Sequence, residues 1–146
     1  MRPRETPIGL QLAHTSKLVS RAFADTLASA GGSIPTWLIV SRLMSEDWRA
    51  QQELARAIGI EGPTLTHHLD ALEEAGLVVR TRDPDDRRAV RLELTDAGRQ
   101  KHAELMQAVI AFNRRLRTGL DEADVQELRD VLAKLERNVA PDEPAG

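Results

Sequence analysis

Between Glu61 and Thr95 the spacing of apolar residues changes from three and four to two. In "EGPTLTHHLDALEEAG", Leu65, Leu69 and Leu72 recur four and three apart, which places them on one face of a helix. Thr64, Thr66, His67, Asp70 and Ala71 are left on its other faces. Pro63 suits the first turn and Gly76 the end of that helix. Past Gly76, "LVVRTR" (77–82) is rich in β-branched residues. "AVRLELT" (89–95) then alternates, with Val90, Leu92 and Leu94 on one side and Arg91 and Glu93 on the other. "DPDD" between them has the composition of a turn. The reading is a helix followed by a two-stranded hairpin.

The flanks read as helices. Residues 8–29 lack a breaker after Gly9, and Ile8, Leu12, Val19 and Ala22 mark a stripe that Leu18, Phe23 and Leu27 broaden. "AGGS" (30–33) ends that helix, and Ser33 with Pro35 starts a second one whose body is "TWLIVSRLM". "SEDW" (45–48) reads as a capping stretch before a short helix at about 49–58, with Leu54, Ala55 and Ile58 inward and Gly59 as its stop. After the hairpin, Thr95 or Asp96 caps a long helix at about 97–118, striped by Leu105, Val109, Phe112 and Leu116. Asp121 caps a last helix with Val125, Leu128, Leu132, Leu135 and Val139 at spacings of three and four. The tail "APDEPAG" is expected to be disordered.

Composition narrows the function classes. The chain has 146 residues and no cysteine, which removes disulfides, thiol nucleophiles and cysteine-based zinc sites. No apolar run follows "MRPRETP", and no stretch reaches the roughly 18–20 apolar residues of a membrane span, so a soluble, cytoplasmic protein without a membrane partner is expected. A net charge of -3 argues weakly against nucleic acid. Its distribution argues the other way. Residues 121–146 carry eight acids and three bases, whereas "RTRDPDDRRAVRLELT" (80–95) holds five arginines. Screening over roughly 8–10 Å lets such a local patch act independently of the total.

A short helix, a turn at Gly59, a second helix and a hairpin make a winged helix-turn-helix. A major groove about 12 Å wide admits one helix, which must offer short polar side chains near its N-terminus. Pro63, Thr64, Thr66 and His67 lie there. The hairpin answers for the minor groove, whose negative potential attracts guanidinium. Arg88 is the expected insertion, with Asp86 two residues earlier to hold it. Arg87, and Arg80 or Arg82, are expected at phosphates. Taken alone, a charged hairpin is as readily a solvated surface turn. Its position directly after a helix-turn-helix favours DNA.

The stretch "LARAIGIEGPTLTHHLDALEEAGLVVRTRDPDDRRAVRLELTDAGR" resembles the MarR family of bacterial winged-helix regulators. The resemblance is carried by a helix ending in "LEEAGLV", by a D-x-D-x-R-type wing and by the exit "LELTDAGR". It implies a mainly α fold with an α+β wing. The division would be 1–35 as N-terminal dimerisation helix, 36–96 as DNA-binding region, 97–139 as C-terminal dimerisation helices and 140–146 as tail, within one structural domain. It further implies a homodimer that acts on double-stranded DNA at a pseudo-palindromic site. A ligand-responsive repressor released by a small aromatic or anionic effector is the function it suggests. The long apolar stripes at 8–29, 97–118 and 121–139 suit isologous pairing.

For an effector, His14, Lys17 and Arg21 of the first helix and Trp37 of the second are the candidate residues, although lone basic side chains on a helix more often face water. A metal site is not expected. His67 and His68 are adjacent on a helix and point about 100° apart, so they cannot form the i, i+4 chelate that a helix offers. No cofactor is expected either, since there is no glycine-rich phosphate loop and no nucleophile motif, which also makes an enzyme remote. The competing class is a winged-helix module that binds protein. The arginines and the 3% aromatic content argue against it.

Overall fold

A computed structural model describes residues 5–46, 48, 50–86 and 89–140. Among them run α1 (Ile8–Ser29), α2 (Ile34–Ser45), α3 (Gln51–Ile58), α4 (Gly62–Glu74), β1 (Val78–Arg82), β2 (Val90–Leu94), α5 (Asp96–Leu116) and α6 (Glu122–Val139). This is the mainly α winged helix-turn-helix that the apolar spacing predicts. The chain divides into two compact units, Met1–Ile110 and Ala111–Gly146.

In the first unit the breaks fall where local chemistry puts them. The Ser33 hydroxyl accepts from the Thr36 N–H at 3.2 Å and caps α2, with Pro35 in the first turn. Gly59 ends α3 with φ of 74°, a left-handed conformation costly for residues with a Cβ. β1 and β2 pair antiparallel, with Arg80 opposite Leu92 and Arg82 opposite Val90. Leu92 and Leu94 are buried while Glu93 is exposed, as alternation requires.

One core gathers Leu27 of α1, Ile39 and Val40 of α2, Leu54 and Ala55 of α3, Leu65, Leu69 and Leu72 of α4, Val78, Leu92 and Leu94 of the hairpin, and Leu105 of α5. Each fully buried leucine contributes about 1.5–3 kcal/mol from leaving water, offset in large part by the entropy of ordering the chain.

The stretch 45–48 departs from its reading as a cap. The residue preceding α3 is Ala50, which offers no side-chain hydrogen bond. Trp48 instead joins the sheet as an isolated antiparallel bridge to Leu92, its carbonyl accepting from the Leu92 N–H at 3.1 Å. Its indole N–H donates to the Arg42 carbonyl at 3.0 Å, and the ring is buried. A one-residue bridge has no period, so pattern could not reveal it.

The corner after the hairpin is tied by Thr95. Its hydroxyl donates to the Gly76 carbonyl at 2.6 Å and accepts from the Gly98 N–H at 3.0 Å, while its own N–H donates to the Leu77 carbonyl at 3.1 Å. Between the two candidate caps of α5, the threonine makes the capping bond. It also closes the end of α4 against the end of β2.

In the second unit Asp121 caps α6 through a reciprocal box with Asp124, each bond 2.9 Å long. Arg117 pairs with Glu122 across the preceding turn. No described residue of α6 is buried, and Leu128 and Val131 are each about half exposed. In the first unit, Ile8, Leu10 and Leu18 of α1 are likewise exposed, whereas Leu27 at the other end of that helix is fully buried.

Candidate nucleic-acid interface

The outer face of α4 is set by its inner one. Leu65, Leu69 and Leu72 are held in the core, so the residues between them must point outward. Pro63, Thr64, Thr66 and His67 are all exposed and lie together at the N-terminal end. His68 is half-buried beside the leucine stripe, its ring 5.9 Å from that of His67. The first turn of α4 carries no acidic side chain, and Glu61 precedes it as the N-cap without a side-chain capping bond.

Thr66 is held more firmly than its neighbours. Its hydroxyl donates to the Gly62 carbonyl one turn back at 3.1 Å and accepts from Nε2 of Gln51 at 3.2 Å. Gln51 is the first residue of α3, so the bond ties the two helices of the motif together. Sequence reasoning missed Gln51, since a polar residue at the start of a helix carries no distinguishing signal.

The five arginines of 80–95 do not share one environment. Arg80 turns back onto α4, where its Nε donates to Glu73 Oε2 at 2.8 Å and its Nη2 donates to Asp70 Oδ1. The hydrogen bond donated to Glu73, then that donated to Asp70, holds the guanidinium charged to still higher pH than an isolated arginine. Both carboxylates are half-exposed, so these bonds fasten the wing to α4 at an energy of at most about 1 kcal/mol each. Arg91 reaches toward Glu93 at 3.9 Å, and its Nε is buried without a hydrogen-bond partner. Arg82, at the end of β1, is exposed. Arg87 and Arg88 lie outside the described residues.

The turn takes its shape from its aspartates. The Asp83 carboxylate accepts from the Asp85 N–H at 2.9 Å, the Asp83 N–H donates to the Ala89 carbonyl at 3.0 Å, and the Asp86 carbonyl accepts from the Ala89 N–H at 3.1 Å. Asp86 is exposed on this turn.

Of the effector candidates, His14, Lys17 and Arg21 are exposed on α1 and Trp37 is half-buried against the core. His14 lines an open groove with Glu5, Thr6, Ile8, Leu10 and Gln11, a set without Lys17, Arg21 or Trp37. Trp37 instead stacks on His102 of α5, ring centres 5.5 Å apart and planes within 9°. Among the described residues, no group of three or more histidines, cysteines or carboxylates is placed to hold a metal, and no helix is long and apolar enough to cross a membrane.

Known proteins share this arrangement. Residues 33–90, which run from α2 through β1 to the first residue of β2, match the MarR family. The transcriptional repressor CouR, solved on a 23-mer DNA duplex, is 32% identical over 92% of this chain and 93% of its own, with a TM-score of 0.76. CouR from Rhodococcus jostii RHA1, solved with p-coumaroyl-CoA, superposes over 99% of this chain and 100% of its own at 25% identity and a TM-score of 0.77. A MarR-family transcriptional regulator from Rhodococcus sp. RHA1 is 27% identical over 88% of this chain and 91% of its own, with a TM-score of 0.74. A helix-turn-helix with its wing, the match across it and this identity over nearly the whole length together place the chain in the MarR family of transcriptional regulators.

Proposed function

We propose that the protein is a homodimeric, sequence-specific DNA-binding repressor that sets α4 of each subunit in the major groove of a pseudo-palindromic operator. The observation that carries this reading is the exposed set Pro63, Thr64, Thr66 and His67, projected from a helix whose opposite face is locked into the core. The wing lies beside that helix, fastened to it by Arg80. Arg82, Arg87 and Arg88 are the proposed phosphate and minor-groove contacts, with Asp86 beside Arg88 in the sequence. Arg80 is a positioning residue here rather than a phosphate contact, because its guanidinium is already engaged.

Dimerisation is supported by the apolar side chains that a single chain leaves in water on α1 and α6, notably Ile8, Leu10, Leu128 and Val139. The proposed parts are 1–35 and 97–139 for pairing and 36–96 for DNA.

A salt titration tests this. With roughly 6–10 phosphate contacts, affinity for a selected duplex is expected to fall about 10³–10⁵-fold between 50 and 200 mM salt, with two chains per duplex. Arg82→Ala should lower the slope of log affinity against log salt by about one, and Arg80→Ala should leave that slope in place. Absence of duplex binding at low salt would leave only the protein-interaction module.

The effector is proposed as a small aromatic or anionic molecule received near His14, Lys17, Arg21 and Trp37. Support comes from the CouR complex with an acyl thioester and from three basic side chains spaced three and four apart on an exposed helix face. A thermal-shift screen with aromatic acids should find a ligand that raises stability by about 2.7 kcal/mol at a hundredfold excess over its dissociation constant. No shift with any member, in the presence of a shift by duplex DNA, would remove the effector from the proposal.

A further inference from the structure

We propose that Thr66 is a thymine reader, which presents its γ-methyl to the 5-methyl of one thymine in each half-site while its hydroxyl gives no proton to a base. This rests on the reading of α4 as the groove-facing helix. A threonine hydroxyl has one proton to donate and two positions at which it accepts. In Thr66 the proton is directed to the Gly62 carbonyl at 3.1 Å, and one acceptor position is taken by Nε2 of Gln51 at 3.2 Å. The hydroxyl therefore has no proton to give to N7 or O6 of guanine, N7 of adenine or O4 of thymine, which are the acceptors of the major groove. The residue is nevertheless exposed, so what it offers beside one open acceptor position is the methyl. The major groove displays one methyl, that of thymine, and apolar contact is the way it is read.

Gln51 makes this more than the usual bond of a helical threonine to the carbonyl four residues back. That bond alone leaves the side chain able to change rotamer and offer its oxygen. A second bond from the neighbouring helix holds the oxygen on the α3 side. Gln51 is thus a positioning residue and Thr66 the specificity-determining one.

The test uses the full-length protein and a duplex selected by it from a random pool. Each thymine of a half-site is exchanged for uracil, which removes only the 5-methyl group. Uracil at one position is expected to weaken binding roughly three- to tenfold, the scale of burying a methyl pair. Thr66→Ser, which keeps the hydroxyl and drops the methyl, should bind the thymine duplex that much more weakly and respond no further to uracil at that position. Gln51→Ala should lose most of the thymine–uracil discrimination and keep its salt slope, a separation that general loosening of the fold would not give. Should the selected duplex bind and no uracil matter, or Thr66→Ser stay as sensitive to uracil as the parent, the inference is overturned. A protein that selects no duplex at all overturns the DNA reading itself, which is a different result.

Discussion

Gly98→Ala is expected to lower the unfolding free energy by about 3 kcal/mol or more and the Tm by roughly 10 °C. A Cβ at position 98 would lie 2.1 Å from the Leu77 carbonyl oxygen, 3.0 Å from Leu94 Cδ2 and 3.1 Å from the Leu77 carbonyl carbon. Backbone atoms cannot turn aside as a side-chain end can. The same Leu77 carbonyl accepts from the Thr95 N–H, and Thr95 in turn caps α5 at the Gly98 N–H. Relieving the clash thus means moving the start of α5 away from the hairpin and giving up bonds of that corner. Gly32→Ala is the control. Its Cβ would meet only side-chain atoms, Leu105 Cδ2 at 2.5 Å, Cδ1 at 3.0 Å and Cγ at 3.3 Å, and this buried leucine can shift within the core where a backbone carbonyl cannot. Its loss should be clearly smaller. Thermal melts of both variants decide the matter, and an unchanged Tm for Gly98→Ala would mean that the close approach of α5 to Leu77 does not exist in solution.

Leu69→Ala is expected to cost about 2–5 kcal/mol, seen as a Tm lower by roughly 10 °C or more. Leu69 is fully buried in the middle of the stripe that turns Thr64, Thr66 and His67 outward. Truncation removes its transfer energy and leaves a cavity beneath the groove-facing helix. Leu69→Met, which nearly conserves volume, should cost less than about 1.5 kcal/mol. Chemical denaturation distinguishes the two. Equal and small losses would show that α4 is not seated through this residue, and the outward set of polar side chains would lose its anchor.

Much of the fold was legible in the residue order because each element announces itself by a local rule. The leucines at 65, 69 and 72 define a helix face by spacing alone, and Val90, Leu92 and Leu94 define a strand face in the same way. Ser33, Gly59 and Asp121 mark helix ends through bonds or backbone angles that reach only a few residues. The exposed face of α4 follows directly, since a helix with one buried stripe has only one side left to show.

Tertiary structure alone decided what depends on residues far apart in the chain. That Trp48 pairs with Leu92, that Trp37 stacks on His102 and that Gln51 grips Thr66 are meetings between elements, and no spacing encodes them. Charge behaves the same way. In the sequence Arg80 and Arg82 are alike, two bases separated by one residue of a strand. In the folded chain Arg80 answers Asp70 and Glu73 on the neighbouring helix, while Arg82 stays exposed near the turn. Local rules fix periodicity and chain breaks because their interactions close within a turn or a hairpin. The partner of a long side chain is set by which elements pack side by side, and that is a property of the whole core.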